Sequence, residues 1–237
     1  MVLKYLVNKD GVPILSKNEI EGITENIIFE YDPDALKRPK EIDIDSLAEF
    51  KFGLNIDFQY LSHNGIYLGA MIFNDAAVPV YIPEKNRAEY LNVKAGTIII
   101  DNSLLADGQE HRYRYTVGHE VGHNILHRNC QANTIVQCRE VNKFRSSNSK
   151  FWTSKDWSEW QANYFSSSIL MPKKTVFMLA EKIKENKYPK EVSLVEAVIE
   201  TYNVSWQAAE NRLKSLGIID NYMDTRFYKK VYDDFVI

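Results

Sequence analysis

Cysteine is nearly absent: Cys130 and Cys138 are the only two in 237 residues. That excludes a disulfide framework of the kind that holds small secreted domains together. Two free thiols in a reducing cytosol are the plain reading, and a pair of soft metal ligands is the alternative. Long apolar runs are also missing. The longest, such as "GTIII", fall far short of the roughly 18 uninterrupted apolar residues that a membrane span needs. The opening "MVLKYLVNKDGVPIL" has neither a long apolar core nor a small-residue cleavage site, so no signal peptide is expected. Charge of one sign is lacking too. A net charge of -3 gives no global electrostatic case for nucleic acid or anionic membrane. There is no internal repeat and no low-complexity tract. The expectation is a soluble, cytoplasmic chain without membrane association. Its 45% apolar content is enough for one large domain, or a domain with a small helical appendage.

Periodicity places helices at both ends of the chain and strands between them. Ser16 and Glu19 have capping-box spacing, and behind them Ile20, Ile23, Ile27, Ile28 and Tyr31 share one helical face. A second short helix is expected around Asp45 to Phe52, ending at Gly53. In "LNIDFQYL", Leu54, Ile56, Phe58 and Tyr60 alternate as in a half-buried strand. Further β-rich runs are "IYLGAMIF", "VPVYI", "AEYLNV" and "GTIIID". This order argues α+β. Asp107 and Glu110 offer another capping box, before a helix expected over 108–127 with Tyr113, Val117, Val121, Ile125 and Leu126 on its apolar face. The stretch 129–153 reads as irregular, with one candidate strand at "TIVQCREV". Within 139–155, five basic residues oppose only Glu140. A solvated loop and a substrate-facing rim both fit that charge. Helices follow at about 155–171, stopping at Pro172, then near 173–186, 191–202 and 205–216.

Histidine is scarce as well, with five in the chain, yet three fall in "TVGHEVGHNILH". His119, Glu120 and His123 spell His-Glu-x-x-His. On a helix, residues four apart share a face with about 6 Å of rise, so two imidazoles can converge on one zinc ion. Glu120 lies about 100° around the axis, where a general base could reach an activated water. A chance pattern on an ordinary amphipathic helix remains open at this point, because the motif fixes only three residues. Gly122 suits a close neighbour or an open metal face. His127 is a poor third ligand, since eight residues from His119 mean about 12 Å of rise. It fits better behind a ligand, or as a cation at the helix C-terminus. Glu159 and Asn163 are also four apart. Glu159 could complete a ligand set while Asn163 orients a histidine, although an exposed helical Glu is the commoner case.

The pair "HEVGHNILH" and "EWQANYFSSSILMP" resembles the ImmA/IrrE family of zinc metallopeptidases. That family joins "HExGHxxLH" to a downstream "ExxANxFAxxLLMP". Ser166 stands where the family often has alanine. The upstream "YLGAMIFND…VPVYIP…GTIIIDNSLL" is similar to the family's sheet region, so the resemblance covers roughly residues 20–172. It implies one zinc per chain, with His119, His123 and Glu159 as ligands and Glu120 as general base. It also implies a zincin-like α+β fold, with a small, mostly antiparallel sheet behind the metal-binding helix and helices at the C-terminus. The expected organisation is a peptidase domain at 1–172, a helical segment packed on it at 173–217 and a tail at 218–237.

Members of the family cut helix-turn-helix repressors, often in mobile elements or damage responses. The resemblance therefore implies a cytoplasmic regulatory hydrolase with a protein substrate. Direct nucleic-acid binding is not expected, since a recognition helix at 205–215 would offer only Arg212 and Lys214 as basic residues. Tyr113, His127 and Tyr164 are candidates to stabilise an oxyanion, with Tyr113 more readily placed in the core. Two other classes stay open. One is a non-cleaving, zinc-stabilised module that sequesters a repressor. The other is a toxin-type peptidase restrained by a partner.

Overall fold

The computed structural model describes residues 5–130, 135–139, 152–184 and 191–220, and of 135–139, 184 and 191–192 the backbone alone. The chain forms two compact units, Met1–Ile23 with Asp43–Ser166 and Thr24–Ile42 with Ser167–Ile237. Helix α1 (Lys17–Tyr31) begins on the expected capping box. The Ser16 backbone N–H donates to Glu19 Oε2 at 2.7 Å, and the Glu19 N–H donates back to Ser16 Oγ at 3.3 Å. Helix α2 (Ile44–Ser46) passes into a wider turn over Leu47–Lys51. The chain then reverses at Gly53, whose φ of 63° lies in the left-handed region.

The strands fall close to the β-rich runs read from the sequence: β1 (Asn55–Gln59), β2 (Tyr67–Ile72), β3 (Ala76–Ile82), β4 (Arg87–Val93), β5 (Thr97–Asp101) and β6 (Ile135–Arg139). Four form a sheet in the order β1-β5-β2-β6, and β3 pairs with β4 as a separate hairpin. Only β1 and β5 run parallel; β2 is antiparallel to both β5 and β6. The sheet is therefore mostly antiparallel. Every residue of β5 is buried, as a central strand covered on both faces requires. β1 departs from the expected alternation and is half-buried along most of its length, because it lies at an edge.

The two faces of β2 have different duties. Ala70 and Ile72 join Leu61, Val78, Val93 and Ile99 in a core under the β3–β4 hairpin. By the two-residue period, Gly69 and Met71 face the other way. There helix α3 (Glu110–His127) packs on β2 and β5. The second expected capping box does not form. Gln109, not Asp107, precedes α3, and no side chain caps it. Gly108 adopts φ 77°, and that left-handed turn leaves Asp107 outside the helix. Helix α4 (Ser154–Leu170) has an unforeseen capping pair instead. The Thr153 N–H donates to Asp156 Oδ2 at 2.9 Å, and the Asp156 N–H donates to Thr153 Oγ1 at 3.2 Å.

In the second unit, α5 (Lys173–Lys184), α6 (Glu191–Tyr202) and α7 (Trp206–Ser215) follow the three C-terminal patterns closely. Arg212 on α7 is fully buried and donates to the Met171 carbonyl at 3.0 Å and to Ser168 Oγ at 3.2 Å. Lys214 sits 2.5 Å from Glu210. The tail beyond residue 220 lies outside the described residues.

Asp101 ties the end of β5 to the loop after β1. Its buried carboxylate accepts from the Leu61 N–H at 2.7 Å and from the Ser103 N–H at 3.0 Å and hydroxyl at 2.6 Å. Asp101→Ala leaves the buried Leu61 N–H unsatisfied, at about 1–3 kcal/mol, while the donors of the exposed Ser103 can turn to water. Urea unfolding should report a loss of that size, whereas Lys94→Ala, which removes only an exposed ion pair with Asp75, should leave the midpoint unchanged. Equal midpoints for the two variants would remove Asp101 from this role.

Candidate metal centre

Helix α3 is buried all round through its middle: every residue from Thr116 to Asn124 is buried. It therefore needs covering on two sides, by β2 and by α4. Two glycines open the α4 side. A Cβ on Gly118 would lie 2.7 Å from Ser166 Oγ, and one on Gly122 would lie 3.1 Å from Phe165 Cδ1. Each glycine costs the helix about 1 kcal/mol relative to alanine, and the close approach to α4 offsets that. Ser166 uses the space Gly118 leaves. Its hydroxyl donates to the Tyr115 carbonyl of α3 at 2.8 Å, which alanine could not do.

This approach brings three side chains together. His119 Nε2 and His123 Nε2 are 2.9 Å apart. Glu159 Oε2 lies 3.4 Å from His119 Nε2, and its Oε1 lies 3.6 Å from His123 Nε2. Ligand atoms held tetrahedrally at about 2.0–2.1 Å from one ion are about 3.3–3.4 Å from each other. Each of these separations is thus within about half an ångström of that value, with either carboxylate oxygen placed to serve as the third ligand atom. They are the group that could hold a metal ion among the described residues.

Hydrogen bonding around His119 agrees with that use. The Asn163 amide is oriented by Nδ2, which donates to the Glu159 carbonyl at 2.8 Å. Its Oδ1 therefore faces His119 Nδ1, at 3.2 Å. An amide oxygen only accepts, so the ring proton sits on Nδ1 and Nε2 presents a lone pair. A lone pair and a carboxylate directed into one buried space call for a cation between them. His123 Nδ1 lies 3.0 Å from His127 Nδ1, and His127 Nε2 lies 2.8 Å from Gln161 Oε1. Burial lowers the His123 pKa to about 4 and that of His127 to about 3. Both rings are neutral at pH 7, as metal ligation requires of an imidazole. His127 thus stands behind His123 rather than beside the three ligand atoms.

Glu120 reaches β2 beside the ligand group, close enough for the Glu159 charge to act on it. It is fully buried, and neither carboxylate oxygen has a hydrogen-bond partner. Burial pushes its carboxyl well above the ordinary range, the Glu159 charge adds to that, and the nearby Met71 backbone offsets a part. Gly69 of β2 makes the room. A Cβ there would meet Thr116 Cγ2 at 2.6 Å and Glu120 Oε1 at 2.9 Å.

One family model matches residues 83–214, more than half of the chain: Peptidase M78, the IrrE N-terminal-like domain. The chain belongs to that family. The matched span holds α3 and α4, and hence all three candidate ligands of this M78 domain. It starts later than the resemblance read from the sequence, leaving β1, β2 and β3 outside, and it runs on through most of α7. No curated protein matches the chain. Membership makes this a metal-dependent, peptidase-type protein. No described helix is long and apolar enough to cross a membrane.

The other residues singled out from sequence lie apart from the three ligand atoms. The Tyr164 hydroxyl donates to Glu21 Oε1 on α1 at 2.8 Å, and its ring stacks on Trp160. Tyr113 donates to Asp45 Oδ2 at 2.9 Å, and burial, with the Asp45 charge adding to it, pushes its pKa well above the ordinary phenol range. Cys130 donates its thiol to the His127 carbonyl at 3.2 Å and is not among the metal-binding group. Of the basic run 139–155, residues 140–151 lie outside the described residues, while Lys155 is exposed one turn before Glu159. Sequence reasoning missed Gly69 and Gln161. Gln161 gave no signal of its own: only the structure shows it to be a buried polar residue, and such a group needs partners.

Two outcomes follow from this geometry. Gly69→Ala should keep metal binding but displace the Glu120 carboxylate, and a shift of about 1 Å can cost roughly 100-fold in rate. A variant with an unmoved carboxylate and wild-type turnover would count against it. Asn163→Ala should weaken metal affinity by about 10–100-fold without unfolding. Chelator competition measures this, and identical affinities would reduce Asn163 to a packing residue.

Proposed function

We propose that this M78 domain is a zinc-dependent endopeptidase holding one zinc ion on His119, His123 and Glu159. One observation carries the reading. Glu120 is a fully buried carboxylate without a hydrogen-bond partner, beside a ligand set to which it does not belong. A structural metal site closes its coordination with a fourth protein ligand and has no use for such an acid. A hydrolytic site does.

Bound zinc supplies a Lewis acid that polarises a scissile carbonyl and acidifies a water molecule. Glu120 takes the proton from the attacking water as the C–O bond forms. It returns that proton to the leaving amine as the C–N bond breaks, and the carboxylate ends as it began. Its low-polarity surroundings raise its basicity for the first transfer. Asn163 and His127 hold the two imidazoles in place. The substrate we propose is a helix-turn-helix repressor, cut at one or a few bonds in a regulatory rather than digestive role. That choice rests on the family resemblance of the two motifs. On α7, Arg212 is buried and Lys214 is paired with Glu210, which supports a protein substrate over direct DNA contact.

Glu120→Gln removes the proton acceptor with little change of shape. It should retain zinc and fold while losing about 10²–10⁴-fold in cleavage rate. The assay sets wild type and variant against a helix-turn-helix repressor and against casein, with and without chelator, read by mass spectrometry. Chelator-sensitive cutting of the repressor alone, absent from the variant, is expected. Fast casein turnover without preference would overturn the regulatory reading. Repressor binding with no cleavage by metal-loaded wild type would favour the sequestering module.

A further inference from the structure

The polar contacts behind His123 continue beyond His127. Gln161 on α4 donates through Nε2 to the Pro13 carbonyl at 2.6 Å. A carbonyl only accepts, so this contact fixes which end of the Gln161 amide faces which way. Its Oε1 is left facing His127 Nε2 at 2.8 Å. Oε1 also only accepts, so His127 must carry its proton on Nε2. His127 is fully buried, and its ring meets only an amide and an imidazole, with no carboxylate to hold a charge, so Nδ1 is bare and can only accept from His123 Nδ1, 3.0 Å away. With its proton on Nδ1, His123 has a bare Nε2. That is the atom facing His119 and Glu159.

We infer that Gln161 is a positioning residue: acting through His127, it fixes the tautomer in which His123 offers Nε2 to a metal. The proposal rests on the metal-site reading above and extends it from the ligands to the N-terminal turn. Without Gln161, His127 is free to hold its proton on Nδ1. His123 must then accept at Nδ1 and carry its own proton on Nε2, where the ligand lone pair is needed.

The far end of the chain of contacts is itself anchored. Val7 and Pro13 form an isolated β-bridge. Asn8 Oδ1 accepts from the Asp10 and Val12 backbone N–H groups, each at 3.0 Å. Asn8 Nδ2 donates to Ser154 Oγ at 3.0 Å, and that hydroxyl donates to Asp10. Ser154 begins α4, the helix that carries Glu159 and Gln161. The turn therefore holds the Pro13 carbonyl over the same helix that supplies the third ligand. A different mechanism orients His119, through Asn163, so the two imidazole ligands are fixed independently.

The test uses the full chain with 15N-labelled histidine. Ring 15N–1H correlation spectra of the metal-free protein at pH 7 report each tautomer. Wild type should carry its protons on Nδ1 of His123 and Nε2 of His127. The reverse pattern overturns the proposal, whatever the protein binds. Zinc affinity is then measured by chelator competition for wild type, Gln161→Met and Gln161→Glu. The Met side chain keeps the volume and removes the acceptor, so affinity should fall about 10–100-fold with His127 in mixed tautomers. A neutral Glu carboxyl keeps both contacts, with one oxygen accepting from His127 and its O–H donating to the Pro13 carbonyl. It should restore the wild-type tautomer and at least a tenfold part of the lost affinity. Equal affinity in wild type and Gln161→Met overturns the proposal, as does a Glu variant no better than Met. Failure of wild type to bind zinc refutes the metal reading instead, and the tautomer pattern still decides the relay.

Discussion

Everything at this site depends on how closely α3 approaches α4. His119 and His123 come from one helix and Glu159 from the other, so no single element can build the ligand set. The approach is limited by what stands between the helices. Gly118 and Gly122 leave their positions empty, and Ser166 and Phe165 fill them. A Cβ at either position would press on Ser166 or Phe165, which must give by a few tenths of an ångström or more. The ligand group spans the same helix contact, with separations of 2.9–3.6 Å, and so is exposed to that shift. Packing density and metal chemistry are therefore one constraint here, because a close-packed interior passes on a shift of even one methyl group.

The same helix faces a second constraint on its other side. Glu120 lies one residue from His119 and must point at the sheet, where an ordinary β-strand would present a side chain. Gly69 removes that side chain at the one point where the carboxylate arrives. The result is a buried acid without a partner in the protein. Such a group costs stability. That a fold should retain it beside a ligand triad is the physical ground for a catalytic assignment.

Much of this was legible in the sequence. His119, Glu120 and His123 follow from helical spacing, and the expected strand, turn and helix order proved close because its signals are local. The assignment of Glu159 needed the resemblance, since a lone helical Glu reads as surface. What stayed hidden depends on tertiary register. The failed capping box at Asp107 turned on the conformation of Gly108, which spacing does not encode. Gly69 carries no signal within its strand pattern, because its use is set by how β2 packs against α3. Gln161 is linked to Pro13, 148 residues away, and no periodicity announces such a contact.

The central claim is that one metal ion sits between His119, His123 and Glu159. X-ray absorption at the zinc edge on the full-length protein tests it most directly. The account predicts nitrogen and oxygen scatterers alone, at about 2.0–2.1 Å, with the outer-shell pattern of two imidazoles. A sulfur scatterer at about 2.3 Å would move the metal to the cysteines and contradict it. So would a single imidazole, or a protein that retains no zinc after desalting.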